Sequence, residues 1–266
     1  MDKERLDVLI AARGLAESRS LAQRLVMAGQ VRVNGQVVLK PSAQIPTNDQ
    51  IVIEQGPKFV SRGGEKLEPA LLAFGLDDLQ GWVCVDVGAS TGGFTDCLLQ
   101  HGAQRVYAVD VGYGVLHWKM RSDPRVISLE RTNARFVTGF PEPVQFVTVD
   151  ASFISLSILL PVIRAWFGDG PGQVVALIKP QFEAGREDAA RGDGVIRDPA
   201  IHRQVLLSVL EQASKDGFAV QGLIRSPLVG PKGNVEFLAH LSLPGEAAAG
   251  LDELVGSVLP EIPPVH

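Results

Sequence analysis

The sequence predicts an α/β fold in which a Rossmann-like, seven-stranded sheet follows a small α+β domain. Beyond about residue 58, short apolar runs alternate with helical stretches, which is typical of a mainly parallel sheet with helices on both faces. The first 55 residues instead show two helical stripes, a hairpin signal and a short strand. At 266 residues the chain is long enough for two unequal domains. We therefore predict one domain over residues 1–55, a linker over 56–63 and a second domain over 64–266.

Local signals justify the elements of the first domain. Leu6 opens a helical stripe, and Ser18 is placed to N-cap a second helix. Asn34-Gly35, between two alternating runs, is a strong signal for a two-residue hairpin turn. A last short strand is predicted over 51–53. These elements together make a compact α+β module.

Seven strands and four helices are predicted in the second domain. The strands are expected at 82–87, 105–109, 125–129, 144–149, 173–178, 218–225 and 235–242. The helices are expected near 65–75, 92–101, 154–167 and 199–214. Because the last two strands are close in sequence, we expect an antiparallel strand at one edge of the sheet.

Composition excludes several classes of protein. Hydrophobic residues make up 45% of the chain and charged residues 21%, as in an ordinary soluble globular protein. No apolar run approaches the roughly 18 residues that a membrane helix needs, and the first residues show no secretory signal. Cys84 and Cys97 are the only cysteines and form no metal-type pair. We therefore expect a cytoplasmic protein with no metal and no membrane segment.

Charge is unevenly distributed along the chain. Residues 1–66 carry ten Lys/Arg and seven Asp/Glu, a net of +3, whereas the other 200 residues carry 15 and 23, a net of −8. A basic end on an acidic chain suggests a surface for a polyanion. An excess of this size is also ordinary scatter, so charge alone leaves both interpretations open.

A glycine-rich turn marks a candidate ligand site. The segment Asp86-Val87-Gly88-Ala89-Ser90-Thr91-Gly92-Gly93-Phe94-Thr95-Asp96 lies where an apolar strand meets a helix. Ser90 takes the place of the second glycine of a dinucleotide fingerprint, and no Walker lysine is present. Asp110 ends the next strand, where an acid is suited to ribose hydroxyls. The pattern favours a nucleoside ligand without phosphates, such as S-adenosylmethionine, over a purely structural turn.

Four ionisable residues stand at notable positions. Asp150 and Lys179 each follow an apolar strand, at the edge of the sheet where ligands bind. Lys66 begins a helix, and Glu236 interrupts an apolar run, where an unpaired carboxylate would be costly to bury. Taken singly, each lysine could equally be a solvated surface residue.

Six sequence blocks carry a resemblance to a known family. They are Ser61-Arg62-Gly63-Gly64-Glu65-Lys66, the turn from Asp86 to Asp96, Leu129-Glu130-Arg131-Thr132-Asn133-Ala134-Arg135, Asp150-Ala151-Ser152-Phe153-Ile154-Ser155-Leu156, Lys179-Pro180-Gln181-Phe182-Glu183 and Gly230-Pro231-Lys232-Gly233-Asn234-Val235-Glu236. In this order they resemble, end to end, the TlyA family of ribosomal RNA 2′-O-methyltransferases, historically labelled haemolysins. The resemblance implies an RNA-binding domain of the type named after ribosomal protein S-four over 1–55 and an FtsJ-like methyltransferase sheet in the second domain.

The resemblance also implies site residues, a cofactor and a partner. The catalytic set is Lys66, Asp150, Lys179 and Glu236, in which Lys179 would deprotonate the ribose hydroxyl, Asp150 would orient Lys179, and Glu236 would position Lys66 or the ribose. Residues expected to bind S-adenosylmethionine are Asp86, Gly88, Ser90, Thr91, Gly92, Gly93, Phe94, Thr95, Asp110, Asn133 and Ala134. Residues expected to bind RNA are Arg5, Arg19, Arg24, Arg32 and Arg62. The expected partner is ribosomal RNA or a ribosomal subunit, methylated at cytidine.

Some alternatives stay open at this stage. A ribosome-binding factor without activity would keep the same fold, and a small-molecule methyltransferase would explain the sheet but not the first domain. A membrane-lytic protein, as the haemolysin label suggests, has no support in the residues. The acidic stretch from Glu187 to Asp193 is the main departure from the family pattern. Target nucleotide, choice of ribosomal subunit and oligomeric state are not predicted.

Overall fold

The computed structural model describes residues 2–54, 56–185, 194–245 and 250–260. The chain forms two compact units, Met1–Lys58 and Phe59–His266. The boundary between the units therefore falls inside the stretch predicted as a linker. The acidic stretch from Glu187 to Asp193, predicted to depart from the family pattern, lies outside the described residues.

Unit 1 is a small α+β module. Its elements are β1 (Lys3–Arg5), α1 (Leu6–Ala12), α2 (Arg19–Met27), β2 (Val31–Val33), β3 (Gln36–Val37), β4 (Gln44–Pro46) and β5 (Ile51–Ile53). The predicted hairpin turn is confirmed: Asn34 and Gly35 both have positive φ, 49° and 83°, as the favoured two-residue turn requires. Ser18 caps α2 by accepting a hydrogen bond from the backbone N–H of Leu21. The pairing of β1 with β4 was not predicted.

Unit 2 is a seven-stranded sheet covered by helices. Its elements are α3 (Gly63–Phe74), β6 (Val83–Val87), α4 (Gly93–Gln100), β7 (Arg105–Val109), α5 (Trp118–Ser122), β8 (Val126–Leu129), β9 (Phe146–Val149), α6 (Leu156–Trp166), β10 (Gly172–Ile178), α7 (Pro180–Glu183), α8 (Pro199–Lys215), β11 (Ala219–Arg225), β12 (Phe237–Leu243) and α9 (Leu251–Val258). The strand order is β11-β12-β10-β9-β6-β7-β8. The predicted Rossmann-like fold is confirmed.

One detail of the predicted sheet is wrong. The antiparallel strand, β12, does not lie at the edge but between β10 and β11, antiparallel to both. All seven residues of β12 are buried, so its side chains need cover on both faces and its backbone needs a partner on each side. An edge position would leave one row of these backbone groups unpaired.

The topology puts one edge of the sheet in the position of a ligand site. β6 pairs in parallel with both β7 and β9, and from β6 the chain proceeds first to one side and then to the other. Such a reversal opens a crevice at the carboxyl ends of the two central strands. Asp150 comes directly after β9 and Gly88 directly after β6. The segments that carry the predicted site residues therefore begin side by side.

Buried apolar layers hold the sheet on both faces. One layer includes Leu67 and Leu71 of α3 and Leu98 of α4. The other includes Leu160 of α6 and Leu206 of α8. No described helix is both long enough and apolar enough to span a membrane.

Candidate active site

Two adjoining cavities open at the carboxyl edge of the sheet in unit 2. The large cavity, about 550 Å³, is lined by Lys66, Gly88, Ser90, Asp150, Ser152, Phe153, Lys179, Gln181, Phe182, Gly194, Pro231, Lys232, Asn234 and Glu236. The small cavity, about 300 Å³, is lined by Val87, Gly88, Ser90, Val109, Asp110, Val111, Thr132, Asn133, Ala134, Asp150, Ala151, Ser152, Phe153, Ile154 and Leu159. Gly88, Ser90, Asp150, Ser152 and Phe153 belong to both linings, so the cavities adjoin at the glycine-rich turn and at the loop after β9.

Lys179 stands at this junction with all of its N–H groups engaged. Its Nζ lies 2.5 Å from Asp150 Oδ1, and it donates to Ser152 Oγ at 3.0 Å and to the Asp150 backbone oxygen at 3.3 Å. An ammonium group has three N–H donors, so these acceptors take them all. The Lys179 side chain is only 9% exposed. The structure thus brings Asp150 and Lys179 together, and it adds Ser152, which the sequence analysis did not single out.

Lys66 and Glu236 form a second ion pair in the large cavity. Lys66 Nζ lies 2.5 Å from Glu236 Oε2, and the two side chains are 11% and 2% exposed. This ion pair explains how the Glu236 carboxylate can be buried next to β12, because the Lys66 ammonium group compensates its negative charge. Gly230 leaves room for the carboxylate: a Cβ there would lie 2.7 Å from Glu236 Oε1. All four residues of the predicted catalytic set therefore line one cavity.

The glycine-rich turn gains its shape from left-handed residues. Gly88, Ser90 and Gly92 have φ of 84°, 49° and 95°. At Gly88 the reason is a close approach as well, because a Cβ would lie 2.7 Å from the backbone oxygen of Asp150. Ser90 adopts a conformation that L-residues other than Asn and Asp seldom take. The turn thus packs its backbone directly against the Asp150 loop.

Asp110, Asn133 and Ala134 line the small cavity, as expected for a nucleoside site. The Asp110 carboxylate accepts hydrogen bonds from the backbone N–H groups of Ser90 and Gly112, each at 2.7 Å. The Asn133 side chain accepts from the backbone N–H of Arg135 at 3.1 Å. Both polar side chains are thereby fixed in orientation at the cavity.

Six residues expected to contact the cofactor lie outside both cavity linings: Asp86, Thr91, Gly92, Gly93, Phe94 and Thr95. Asp86 is fully buried and accepts from Thr95 Oγ1 at 2.7 Å and from Thr148 Oγ1 at 3.4 Å. Burial raises the pKa of Asp86 to about 7. Phe94 is buried in the apolar layer under α4. Asp86, Phe94 and Thr95 are therefore buried residues that support the turn, and they do not line the cavities.

Sequence reasoning missed an aromatic pair at the site. Phe153 is 90% exposed and has φ of 63°, and its ring centroid lies 4.8 Å from that of Phe182. Both side chains line the large cavity. An exposed phenylalanine in a left-handed conformation is unusual enough to suggest function. The sequence carried one signal, since both residues lie in the blocks that follow β9 and β10.

The arginines expected to bind RNA are less free than the sequence suggested. In unit 1, Asp7 is fully buried, and it accepts hydrogen bonds from Arg5 at 2.9 and 3.0 Å, from Arg19 at 3.0 Å and from Gln23 at 2.7 Å. The hydrogen bond from Arg5, the largest of several contributions, holds the pKa of Asp7 well below its usual range. Arg5 and Arg19 therefore satisfy a buried acid, whatever else they contact.

The other predicted arginines differ in their partners. Arg32 is paired with Glu54, with Nε 2.5 Å from Oε1. Arg24 is exposed, and its described contact is a long hydrogen bond of 3.4 Å to Ser20 Oγ. Arg62, in unit 2, is exposed and donates to the backbone oxygen of Val229 at 3.5 Å. Arg24 and Arg62 thus keep most of their charge available, and a role for the whole set in RNA binding stays a prediction. Among the described residues, no group of His, Cys, Asp and Glu is arranged to hold a metal ion.

A Rossmann-like sheet with a crevice at the carboxyl ends of its central strands belongs to the class of domains that bind nucleotides or nucleosides, here joined to a small α+β module. Residues 59–243 match the FtsJ-like methyltransferase family, and residues 4–51 match the S4 domain. The chain belongs to the FtsJ-like methyltransferases, and within them to the TlyA family.

Relatives of known name support this placement. The chain is 42% identical, over 98% of its length and 99% of the relative's, to 16S/23S rRNA (cytidine-2′-O)-methyltransferase TlyA of Mycobacterium tuberculosis. It is 44% identical to Hemolysin A of Brachyspira hyodysenteriae, over 89% of this chain and 98% of the relative. A solved structure described as a candidate hemolysin from Streptococcus thermophilus shares 46% identity and superposes with a TM-score of 0.70, covering 97% of this chain and 96% of that one.

Proposed function

We propose that this chain transfers a methyl group from S-adenosylmethionine to a ribose 2′-hydroxyl of ribosomal RNA, with cytidine as the target nucleoside. The observation that carries the proposal is that two cavities adjoin at the glycine-rich turn and the loop after β9, beside the ammonium group of Lys179. A methyl donor and a methyl acceptor need adjoining sites with a proton acceptor at their junction. The name of the Mycobacterium tuberculosis relative supports ribosomal RNA and cytidine as the substrate.

The small cavity fits S-adenosylmethionine. The Asp110 carboxylate is held by two backbone N–H groups and retains lone pairs that can accept hydrogen bonds from ribose hydroxyls. Val111 and Ala134 supply apolar surface for an adenine ring. The cavity reaches the Asp150–Phe153 loop, where the methionine end of the ligand would lie. Membership of a methyltransferase family also implies use of this cofactor.

The residues of the large cavity can prepare a hydroxyl for attack. S-adenosylmethionine supplies, when bound, an electrophilic methyl group on a sulfonium centre. Lys179 has to be neutral to accept the hydroxyl proton, and a neutral amine donates only two hydrogen bonds, so one of its three acceptors is released and the lone pair of Nζ can face the hydroxyl. Ser152 is exposed and lines both cavities, so we expect its contact to yield. Asp150 then keeps the Lys179 side chain oriented while the proton moves from the hydroxyl to Nζ.

The mouth of the large cavity suits a nucleotide. The Phe153–Phe182 pair offers an exposed aromatic face on which a base can stack. Lys66 and Lys232 line the same cavity and can approach a phosphate or a ribose. Unit 1 matches the S4 domain and supplies basic side chains such as Arg24 for RNA contacts. A substrate of this kind implies a cytoplasmic site of action on ribosomal subunits or their RNA.

The test is methyl incorporation from labelled S-adenosylmethionine into ribosomal RNA. We expect Lys179→Ala to lower kcat by about 10²–10⁴-fold, the usual contribution of a general base, with little change in cofactor affinity. Lys179→Arg should be nearly as damaging because a guanidinium does not lose its proton. Lys215→Ala, which removes an exposed lysine at the end of α8, serves as the matched control.

Two outcomes would count against the proposal in different ways. If the wild-type protein transferred no methyl group to RNA or ribosomal subunits, the proposed reaction would be wrong. If Lys179→Arg were as active as wild type, the reaction would stand, but Lys179 would act only through its charge.

A further inference from the structure

We propose that Glu183 is a positioning residue for methyl transfer: it fastens the loop that carries Asp150 and Phe153 to the segment that carries Lys179. The inference rests on the proposed function and assigns a role to a residue outside the catalytic set. Glu183 is half-buried at the end of α7, and its carboxylate reaches across to the start of α6.

The contacts of Glu183 are specific. Oε2 accepts a hydrogen bond from Ser155 Oγ at 2.6 Å, and Oε1 accepts from the backbone N–H of Leu156 at 2.8 Å. Both oxygens of the carboxylate therefore bind neighbouring residues where the loop after β9 enters α6. Burial raises the pKa of Glu183, whereas the Ser155 hydrogen bond opposes the rise. Partial burial of this carboxylate is unfavourable because it loses hydration, and its two hydrogen bonds offset that cost.

Successive ties join the same two segments. Lys179 holds Asp150 and Ser152, Phe182 packs on Phe153, and Glu183 holds Ser155 and Leu156. The order of contacts is parallel along both segments, from the junction of the cavities outward. Without the Glu183 contacts, these two segments would be joined by the contacts of Lys179 and by the Phe153–Phe182 pair.

The strain at Phe153 shows why a second tie is needed. Its φ of 63° is a conformation that persists only where the surroundings over-determine it. Lys179 fixes the chain on one side of Phe153 through Ser152, and Glu183 fixes it on the other through Ser155. Without Glu183 the loop can relax, and Asp150 and Ser152 then shift relative to Lys179 Nζ. Near-attack alignment is sensitive to shifts of this size, so the effect should fall on kcat.

The experiment compares substitutions at Glu183 with a matched capping carboxylate elsewhere. Glu183→Ala removes both contacts and should lower kcat about 10–100-fold, with KM for ribosomal RNA and the Kd for S-adenosylmethionine within about twofold of wild type. Glu183→Gln should restore most of kcat, because its oxygen can accept from Leu156 and its NH₂ can donate to the Ser155 hydroxyl. Asp198→Ala is the control: Asp198 caps α8 by accepting from the backbone N–H of Ala200 at 2.8 Å.

Several outcomes decide the inference. Equal losses of thermal stability in Glu183→Ala and Asp198→Ala, with kcat reduced only in the former, would support it. Wild-type kcat in folded Glu183→Ala would overturn it. If Glu183→Ala does not fold, Glu183→Asp is compared with Glu183→Gln. The shorter aspartate loses one contact, so Glu183→Asp must lower kcat more than Glu183→Gln does. The reverse order would overturn the inference. Failure of the proposed reaction itself would appear separately, as absence of methyl transfer by the wild-type protein.

Discussion

Gly88 offers the most direct test of how the glycine-rich turn supports Asp150 and Lys179, the residues proposed to act in the reaction. In Gly88→Ala the new Cβ would lie 2.7 Å from the backbone oxygen of Asp150 and 2.9 Å from its carbonyl carbon. Ordinary contact begins at 3.4 Å, so the backbone at Asp150 must retreat by about 0.7 Å. The alanine also has to adopt φ near 84°, at a cost of about 1–2 kcal/mol.

The displacement of Asp150 has a predictable effect on catalysis. Asp150 Oδ1 and its backbone oxygen are two of the three acceptors of Lys179 Nζ, so a shift of Asp150 moves the lysine with it. Misplacement by about 1 Å can cost a factor of 10² in rate, so we expect kcat of Gly88→Ala to fall about 10–100-fold. Cofactor affinity should fall less, because the atoms nearest the new Cβ are backbone atoms of Asp150 and Ala151.

A second glycine separates the clash from the backbone strain. Gly75 ends α3 with φ of 66°, and no atom lies within 4 Å of a Cβ built there. Gly75→Ala therefore has a similar conformational cost without displacing a neighbour. Methyl transfer to ribosomal RNA and thermal unfolding should be measured for both variants. If Gly88→Ala kept the kcat of Gly75→Ala at equal stability, the coupling between the turn and Asp150 would be refuted.

The remaining predictions concern a buried acid and two of the arginines proposed to bind RNA. Because the pKa of Asp86 is about 7 when folded and its ordinary value is 3.8, the native state retains a proton that the unfolded chain loses, and the free energy of unfolding should fall by up to about 4 kcal/mol as the pH rises through this window. Asp86→Asn should remove that decline. The free energy of unfolding in urea should be measured at pH 5 and pH 8, and an equal decline in the variant and the wild type would contradict the prediction. Arg24→Glu should weaken binding to ribosomal RNA and reduce the salt dependence by about one phosphate contact, without lowering stability. Arg19→Glu should also lower the Tm because it leaves Asp7 beside a like charge, and equal Tm values for the two variants would speak against this.

Strand positions could be predicted from the sequence because each strand is a short apolar run bounded by turns. The strand predicted over 105–109 matches β7 to the residue, and the other predicted strands differ from the observed bounds by at most two residues at either end. The order of strands in the sheet could not be predicted equally well. An apolar run shows that β12 is buried but does not show which neighbours cover it, so its place between β10 and β11 emerges only from the assembled sheet.

Ion pairs explain why the surroundings of the arginines were harder to predict than the clustering of the four residues proposed for catalysis. Asp150 and Lys179 each follow a strand, and parallel strands bring their carboxyl ends to one edge, so local pattern and topology agree. Asp7, by contrast, looks like an ordinary acid in the first turn of a helix. Only the packing of α1 against α2 buries it and directs Arg19 and Gln23 toward it. Charge counting therefore overestimates the free positive charge of unit 1.

The loop after β9 shows how stability and reaction geometry are joined in this chain. Phe153 has a backbone conformation that costs free energy in isolation, and its ring gains little burial in return because it is 90% exposed. The compensation comes from its neighbours, since Asp150 and Ser155 are each held by the segment after β10. An exposed aromatic side chain kept in this way is ready to receive a planar ligand without rearranging first. We therefore expect the loop to be ordered before RNA binds, so that substrate binding changes the contacts of Lys179 and leaves the fold of the loop unchanged.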